Sequence, residues 1–286
     1  MKCSLSAAAF VSVLFPTLLA PPTAAQAPTN LQNPQIDIAY VQPANANYRP
    51  IHERLKKLAV LEQLQQFLVP LKLPRKLTVQ VDQCGAAFRP YTPGGAATIC
   101  YELVEQIEAV AAKADPSLKE TVIVGTFVQA VFHEVATAVL DILQVPVWGR
   151  RDDAADRLAG FIMLQFGEEV ARRTVIGSAI FFEASGKTWT GKTWTGKDFA
   201  GVTSPEAQRY FNFLCMAYGG SPRIFEFLVK PDDSQKSILP PDRADRCQGE
   251  YAQVRKAFNL RIMPYVDPDL LVKVKSSPWV HVGDGK

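Results

Sequence analysis

The rhythm of apolar and polar positions along the 286-residue chain changes several times, and each change marks an element. Lys2 precedes an apolar run from Ala7 to Ala20, closed by Pro21, Pro22 and the small residues Thr23-Ala-Ala25. A basic start, a short apolar core and small residues at a cut are the layout of a secretory signal peptide, with cleavage after Ala25. Cleavage after Ala27 also fits but leaves Pro28 beside the cut; an uncleaved anchor is disfavoured by the short run and by Pro16. From Pro28 to Pro50 the chain is rich in Pro, Asn, Gln and Ala, an extended or disordered lead-in. From Ile51 to Val69, Leu55, Leu58, Leu61, Leu64 and Leu68 recur at helical spacing opposite Glu53, Arg54, Lys56 and Lys57. Leu77-Thr-Val-Gln-Val81 alternates like a strand, and Ala97-Thr-Ile-Cys-Tyr101 is a second. The turn-rich Arg89-Pro-Tyr-Thr-Pro-Gly-Gly95 between them predicts a hairpin. A helix follows over residues 102–114.

Thr121 to Val145 is nearly all apolar and long enough for a membrane span, but Gln129, His133, Glu134 and Asp141 interrupt it. Such a polar cluster is costly in lipid, so the pattern predicts a central helix buried in protein. Pro146 and Gly149 end it, and a further helix runs from Arg150 to about Phe166. Helices are also predicted over residues 205–218, 222–228 and 243–258, with an irregular stretch from Pro264. The organisation is a signal peptide (1–25), a Pro-rich lead-in (26–50), one domain (51–265) and an irregular tail (266–286). The fold class is α+β and predominantly helical, with a small N-terminal β-hairpin or sheet and a buried central helix.

A composition of 48% hydrophobic and 21% charged residues is that of a globular chain and excludes whole-chain disorder, collagen and coiled coil. The formal charge is +3, or +2 without Lys2. That balance gives no footprint for nucleic acid or an anionic membrane surface, and no stable membrane insertion is expected once the signal is removed. An exported chain keeps Cys84, Cys100, Cys215 and Cys247. Four cysteines in an oxidising compartment suggest two disulfides with three possible pairings, of which sequence locality favours Cys84–Cys100 and Cys215–Cys247. Free buried thiols are the alternative; zinc ligation is disfavoured because no pair has the close C-x-x-C spacing.

The chemistry candidates sit in the central helix. His133 and Glu134 are charged groups among apolar neighbours, and such groups are rarely buried unless paired or bound to metal. The natural comparison is His-Glu-x-x-His, in which two imidazoles one turn apart bind zinc and the Glu polarises the bound water. Here the second position is Thr137. The pair alone is weak, because a core histidine with a carboxylate partner is the commoner arrangement.

Longer blocks carry more. Residues 132–164 contain His133-Glu-Val-Ala-Thr137-Ala-Val139 and Val145-Pro-Val-Trp-Gly-Arg-Arg-Asp-Asp-Ala-Ala-Asp156. These resemble the His-Glu-Val-Gly-His-Ala-Leu and Leu-Pro-x-x-Gly-Arg-Glu-Glu-Asp-Ala-Ala-Asp blocks of a family of bacterial secreted proteins known as putative metallopeptidases, a domain of unknown function. The likeness extends to Cys100-Tyr-Glu-Leu103, to Gln208-Arg-Tyr-Phe-Asn-Phe-Leu-Cys-Met-Ala-Tyr-Gly219 and to Leu239-Pro-Pro-Asp-Arg-Ala-Asp-Arg-Cys247, so it covers roughly residues 77–258. The resemblance implies a zincin-like fold, a zinc cofactor, a peptide or protein substrate and a secreted or periplasmic location. It implies His133 as the first metal ligand, Glu134 as general base, and Asp152 or Asp153 as the third ligand, with Asp141 and Asp156 behind them. Capping of the following helix is the competing role for the aspartates, and Asp153 can pair with Arg157 four residues on.

Two departures weaken the site. Thr137 stands at the second zinc histidine, and a hydroxyl is a poor zinc ligand. Arg151 replaces a family glutamate. Without metal, Glu134 faces water of pKa about 15.7 rather than about 7. Rescue would need His52 or His281 to swing in, or Asp141 to contribute an oxygen. The expectation is therefore a peptidase fold with a degraded centre, set against a catalytically inactive relative that binds peptide or protein. Gly186-Lys-Thr-Trp-Thr-Gly-Lys-Thr193 formally matches a phosphate-cradling loop, but it is a tandem Gly-Lys-Thr-Trp-Thr repeat without a following amphipathic helix. Its Trp189, Trp194, Lys187, Lys192 and Lys197 suit an exposed basic-aromatic loop instead. No G-x-S-x-G elbow is present.

Overall fold

The computed structural model describes residues 33–89, 91–185, 195–230 and 238–275. The N-terminal leader, the Gly-Lys-Thr-Trp-Thr repeat up to Trp194, and His281 lie outside the described residues. What is described is predominantly helical, with one small sheet near the N-terminus.

The sheet holds β1 (Ile36–Tyr40), β2 (Leu77–Asp82) and β3 (Ala97–Cys100) in spatial order β1-β2-β3. The stretch expected to be an extended lead-in thus supplies an edge strand. Ile36 is buried beneath it, and Asn33 anchors its start by donating to the carbonyls of Val69 and Leu71. Both strand pairs are parallel, so the predicted hairpin is wrong. Parallel neighbours need a connection of a dozen or more residues, and residues 83–96 supply one. Asp82 lies opposite Cys100 in the register, which brings Cys84, just past the end of β2, beside the end of β3. The Cys84–Cys100 disulfide closes that corner.

Between β1 and β2 the predicted single helix is two: α1 (Arg49–Lys57) and α2 (Val60–Leu68). The break falls at Ala59, which is left-handed at φ 49°. The phase of the apolar positions explains it. Ile51 and Leu55 are buried on α1, and Leu61, Leu64 and Leu68 on α2. Six residues separate Leu55 from Leu61, which a straight helix would place about 120° apart. The kink restores the phase and leaves Leu58 exposed.

α3 (Tyr101–Ala111) leads to α4 (Lys119–Ile142), the central helix. It is the one described helix long and apolar enough to cross a membrane, and 78% of its apolar window is buried inside the protein. It packs against α3, β3, α5 (Arg151–Met163) and α6 (Glu168–Ser185). The α4–α6 crossing is close because Gly125 meets Gly177: a Cβ on Gly177 would lie 1.9 Å from the Thr121 carbonyl oxygen. α6 was not predicted; its polar residues, such as Glu168, Arg172 and Arg173, obscure its apolar face. The short α7 (Gly196–Phe199) precedes α8 (Glu206–Gly220), which the Cys215–Cys247 disulfide joins to α9 (Pro241–Arg261). The predicted irregular end instead forms α10 (Pro268–Lys275), held by a bridge between Leu71 and Val266.

Candidate functional site

α4 ends at Ile142, and the chain turns back through a left-handed Gln144 (φ 50°), Pro146 and Gly149 (φ 106°) into α5. The reversal sets α5 against α4 and puts Asp156 beside His133. The His133 Nδ1 lies 2.7 Å from the Asp156 Oδ1, with both side chains buried. Gln129, one turn before His133, donates to the same oxygen at 3.2 Å. Arg209 reaches in from α8 and donates from Nε to Oδ2 at 2.7 Å and from Nη2 to Oδ1 at 2.9 Å. Its guanidinium lies over the Phe182 ring, 5.1 Å from the centroid.

The carboxylate therefore receives a guanidinium, an imidazole N–H and an amide. Burial alone would raise the Asp156 carboxyl, but Arg209 and His133 outweigh it and hold it well below the usual range. Burial likewise opposes charge on His133, and the adjacent Asp156 more than offsets it, so the imidazole is raised. With Asp156 ionised, Nδ1 carries the proton and Nε2 is left for other work.

Among the described residues Glu134 has no hydrogen-bond partner of this kind, and the charges of His133 and Arg209 only partly stabilise its ionised form. Burial, with further repulsion from Asp152 and Asp156, pushes its carboxyl up to about 7. Asp152 is also raised by burial and feels the charge of His133 and Arg209. Both carboxyls thus hold a proton to higher pH than a free carboxyl does.

His133, Glu134 and Gln129 line a cavity of about 340 Å³, with Thr98, Ile99 and Cys100 of β3 forming another wall and Glu206 and Arg209 a third. Ser185 borders it with a buried Oγ that has no hydrogen-bond partner among the described residues. Across the sheet β3 is the outer strand, and no described strand flanks its far side.

Other residues singled out in the sequence fall elsewhere. The Thr137 Oγ1 donates to the His133 carbonyl at 2.9 Å, a bond within its own helix. The Asp153 Oδ2 accepts from Ser204 at 2.8 Å, and Arg150 holds that serine at 3.1 Å. The expected Asp153–Arg157 pair does not form: Arg157 turns to Glu250 at 4.0 Å, and the buried Asp153 Oδ1 and Arg157 Nε have no partner among the described residues. Asp141 is met by Tyr91 at 3.3 Å, Arg75 at 3.5 Å and Arg151 at 3.8 Å. It lies two turns, about 12 Å, along the helix from His133, too far to share a ligand with it. His52 is locked elsewhere, its Nδ1 2.8 Å from the Tyr101 hydroxyl, which itself donates to the Val41 carbonyl.

Among the described residues, the group of three metal-ligand atoms within 4.8 Å of one another is Cys84, Cys100 and Glu102. It is no metal site. Both sulfurs are consumed in the disulfide, and the Glu102 oxygens accept from the backbone N–H groups of Cys84 and Gly85.

Sequence reading puts Gln129 in the polar cluster of the central helix and Arg209 in the block from Gln208 to Gly219, but assigns neither a part in the site. A buried aspartate demands a cation, and Arg209 heads the apolar block Tyr210, Phe213 and Leu214. That was the available signal, but only the packing of α8 on α5 reveals the pairing.

Residues 40–261 match the family model DUF4344, described as putative metallopeptidase. The match spans most of the chain, and the protein belongs to this family. No curated protein and no solved structure matches it. A peptidase-like domain implies peptide or protein substrates, and the two disulfides fit an oxidising compartment.

Proposed function

We propose that the protein is an exported, zincin-like member of the metallopeptidase family whose zinc site is degraded, and that its cavity still receives an extended peptide. The observation that carries this reading is Thr137. In the position of a second zinc imidazole it offers a hydroxyl whose proton is engaged by the His133 carbonyl. Asp156, the carboxylate in contact with His133, is saturated by Arg209 and Gln129 and serves to orient the ring. What remains is one imidazole nitrogen, and Glu134 and Asp152 do not gather with it as a group of three ligand atoms within 4.8 Å. This donor set does not fit a resident catalytic zinc, which needs three protein ligands.

Zinc, where bound in the family, supplies a water of pKa about 7. The residues of this chain do other things. Asp156 and Arg209 fix the His133 ring. Glu134, near 7, exchanges a proton at neutral pH at the cavity wall. The cavity wall made by Thr98, Ile99 and Cys100 of β3 is where an extended peptide would lie alongside the sheet.

The test is zinc titration of the protein and of Thr137→His, with hydrolysis of a casein substrate followed in parallel. The expected result is weak zinc binding and no hydrolysis by the unaltered chain, and at least tenfold tighter zinc binding by Thr137→His. One tightly held zinc per unaltered chain together with casein cleavage would overturn the degraded-site reading. No change on Thr137→His would sink the assignment of the site.

A further inference from the structure

The face of α4 opposite His133 is lined by open space. Two cavities lie along it, of about 270 and 320 Å³, and Phe67 and Phe166 border both. The larger lies between α2, α4, α5, α9 and α10, with Val135, Val139, Phe161, Phe258 and Val274 among its walls. Its volume is in the range of small-molecule pockets.

Its chemistry narrows the ligand. The walls are helices whose backbone groups are paired internally. The irregular segments beside it pair with each other, Asp267 N–H donating to the Pro70 carbonyl at 2.8 Å and Lys72 N–H to the Tyr265 carbonyl at 2.6 Å. Gln165 is engaged by the Phe161 carbonyl at 3.0 Å. Beyond Asn259 and Tyr251 at its border, a peptide lying here would find few partners for its amides, and each one left unpaired costs some 1–3 kcal/mol. An alkyl chain carries no such groups. Among the described residues, the charged ones bordering the cavity are Arg255 and Lys275, with no aspartate or glutamate. Arg255 is exposed and has no hydrogen-bond or ion-pair partner among the described residues.

We infer that this cavity binds a long-chain carboxylate, its alkyl chain along α4 and its head group on Arg255. The site is separate from the peptide cavity and stands whether or not that reading does. It is tested by calorimetric titration of the full chain with dodecanoate and with dodecanol. Saturable binding of one dodecanoate per chain is expected, at least tenfold tighter than dodecanol. Arg255→Glu, a surface change, should weaken dodecanoate about tenfold and leave dodecanol unchanged. Val139→Trp should fill the cavity and abolish both; if that variant does not fold, the Arg255→Glu comparison decides alone. Absence of saturable dodecanoate binding would overturn the inference, as would equal binding of the two probes or indifference to Arg255→Glu. Binding that appears only in Trp279→Ala would also overturn it, by making the chain's own C-terminus the occupant.

Discussion

Asp156 and Asp141 are both buried carboxylates on the α4–α5 pair, but they differ in how their charge is met. Asp156 has two donations from Arg209 at 2.7 and 2.9 Å, a histidine at 2.7 Å and an amide at 3.2 Å. Asp141 has contacts of 3.3, 3.5 and 3.8 Å, two of them from half-exposed arginines. The first is a closed bidentate arrangement out of water, where each partner depends on the other. The second is an ion cluster that solvent can complete. Sequence reading placed both aspartates behind the same histidine. The structure joins only Asp156 to it and leaves Asp141 to tie the loop bearing Tyr91 to the end of α4.

The contrast can be broken by substitution. Arg209→Met leaves Asp156 and His133 buried without their cation and should cost about 3–5 kcal/mol in urea unfolding. A loss below about 1 kcal/mol would mean that the cluster is hydrated. Glu134→Gln should show a pH-dependent gain next in size. In the unfolded chain this carboxyl loses its proton near 4.5, while in the fold it keeps it to about 7. A raised carboxyl lowers stability as pH rises between those values, so Glu134→Gln should match the unaltered protein near pH 4 and exceed it above pH 7. The gain is at most roughly 3.5 kcal/mol, since each unit is worth about 1.4 kcal/mol. Asp156 runs the other way: its depressed carboxyl contributes stability above about pH 4 that acid removes. The smallest effect is Arg75→Met, which should cost under about 1 kcal/mol because that side chain is 51% exposed. Equal losses for Arg75→Met and Arg209→Met would erase the distinction between the two aspartates.

How much of this was legible depends on distance along the chain. The buried central helix followed from charges inside an apolar run, and both disulfides followed from locality. The strand direction did not, although the disulfide held the clue. In a hairpin across residues 81–97, Cys84 would face about residue 94, whereas Cys100 is reached only when the strands run the same way. The α1–α2 break was written in the six-residue step from Leu55 to Leu61, which a list of leucines conceals. Arg209 was illegible because its partner lies 53 residues away, in another helix.

The central claim is that Asp156, Arg209 and Gln129 hold His133 while Thr137 leaves no zinc site. Nitrogen NMR of the His133 ring, with and without one equivalent of zinc, tests it most directly. The account predicts a protonated Nδ1 in both spectra and an Nε2 signal that zinc does not move. An Nε2 shifted to its metal-bound position by one equivalent would contradict it.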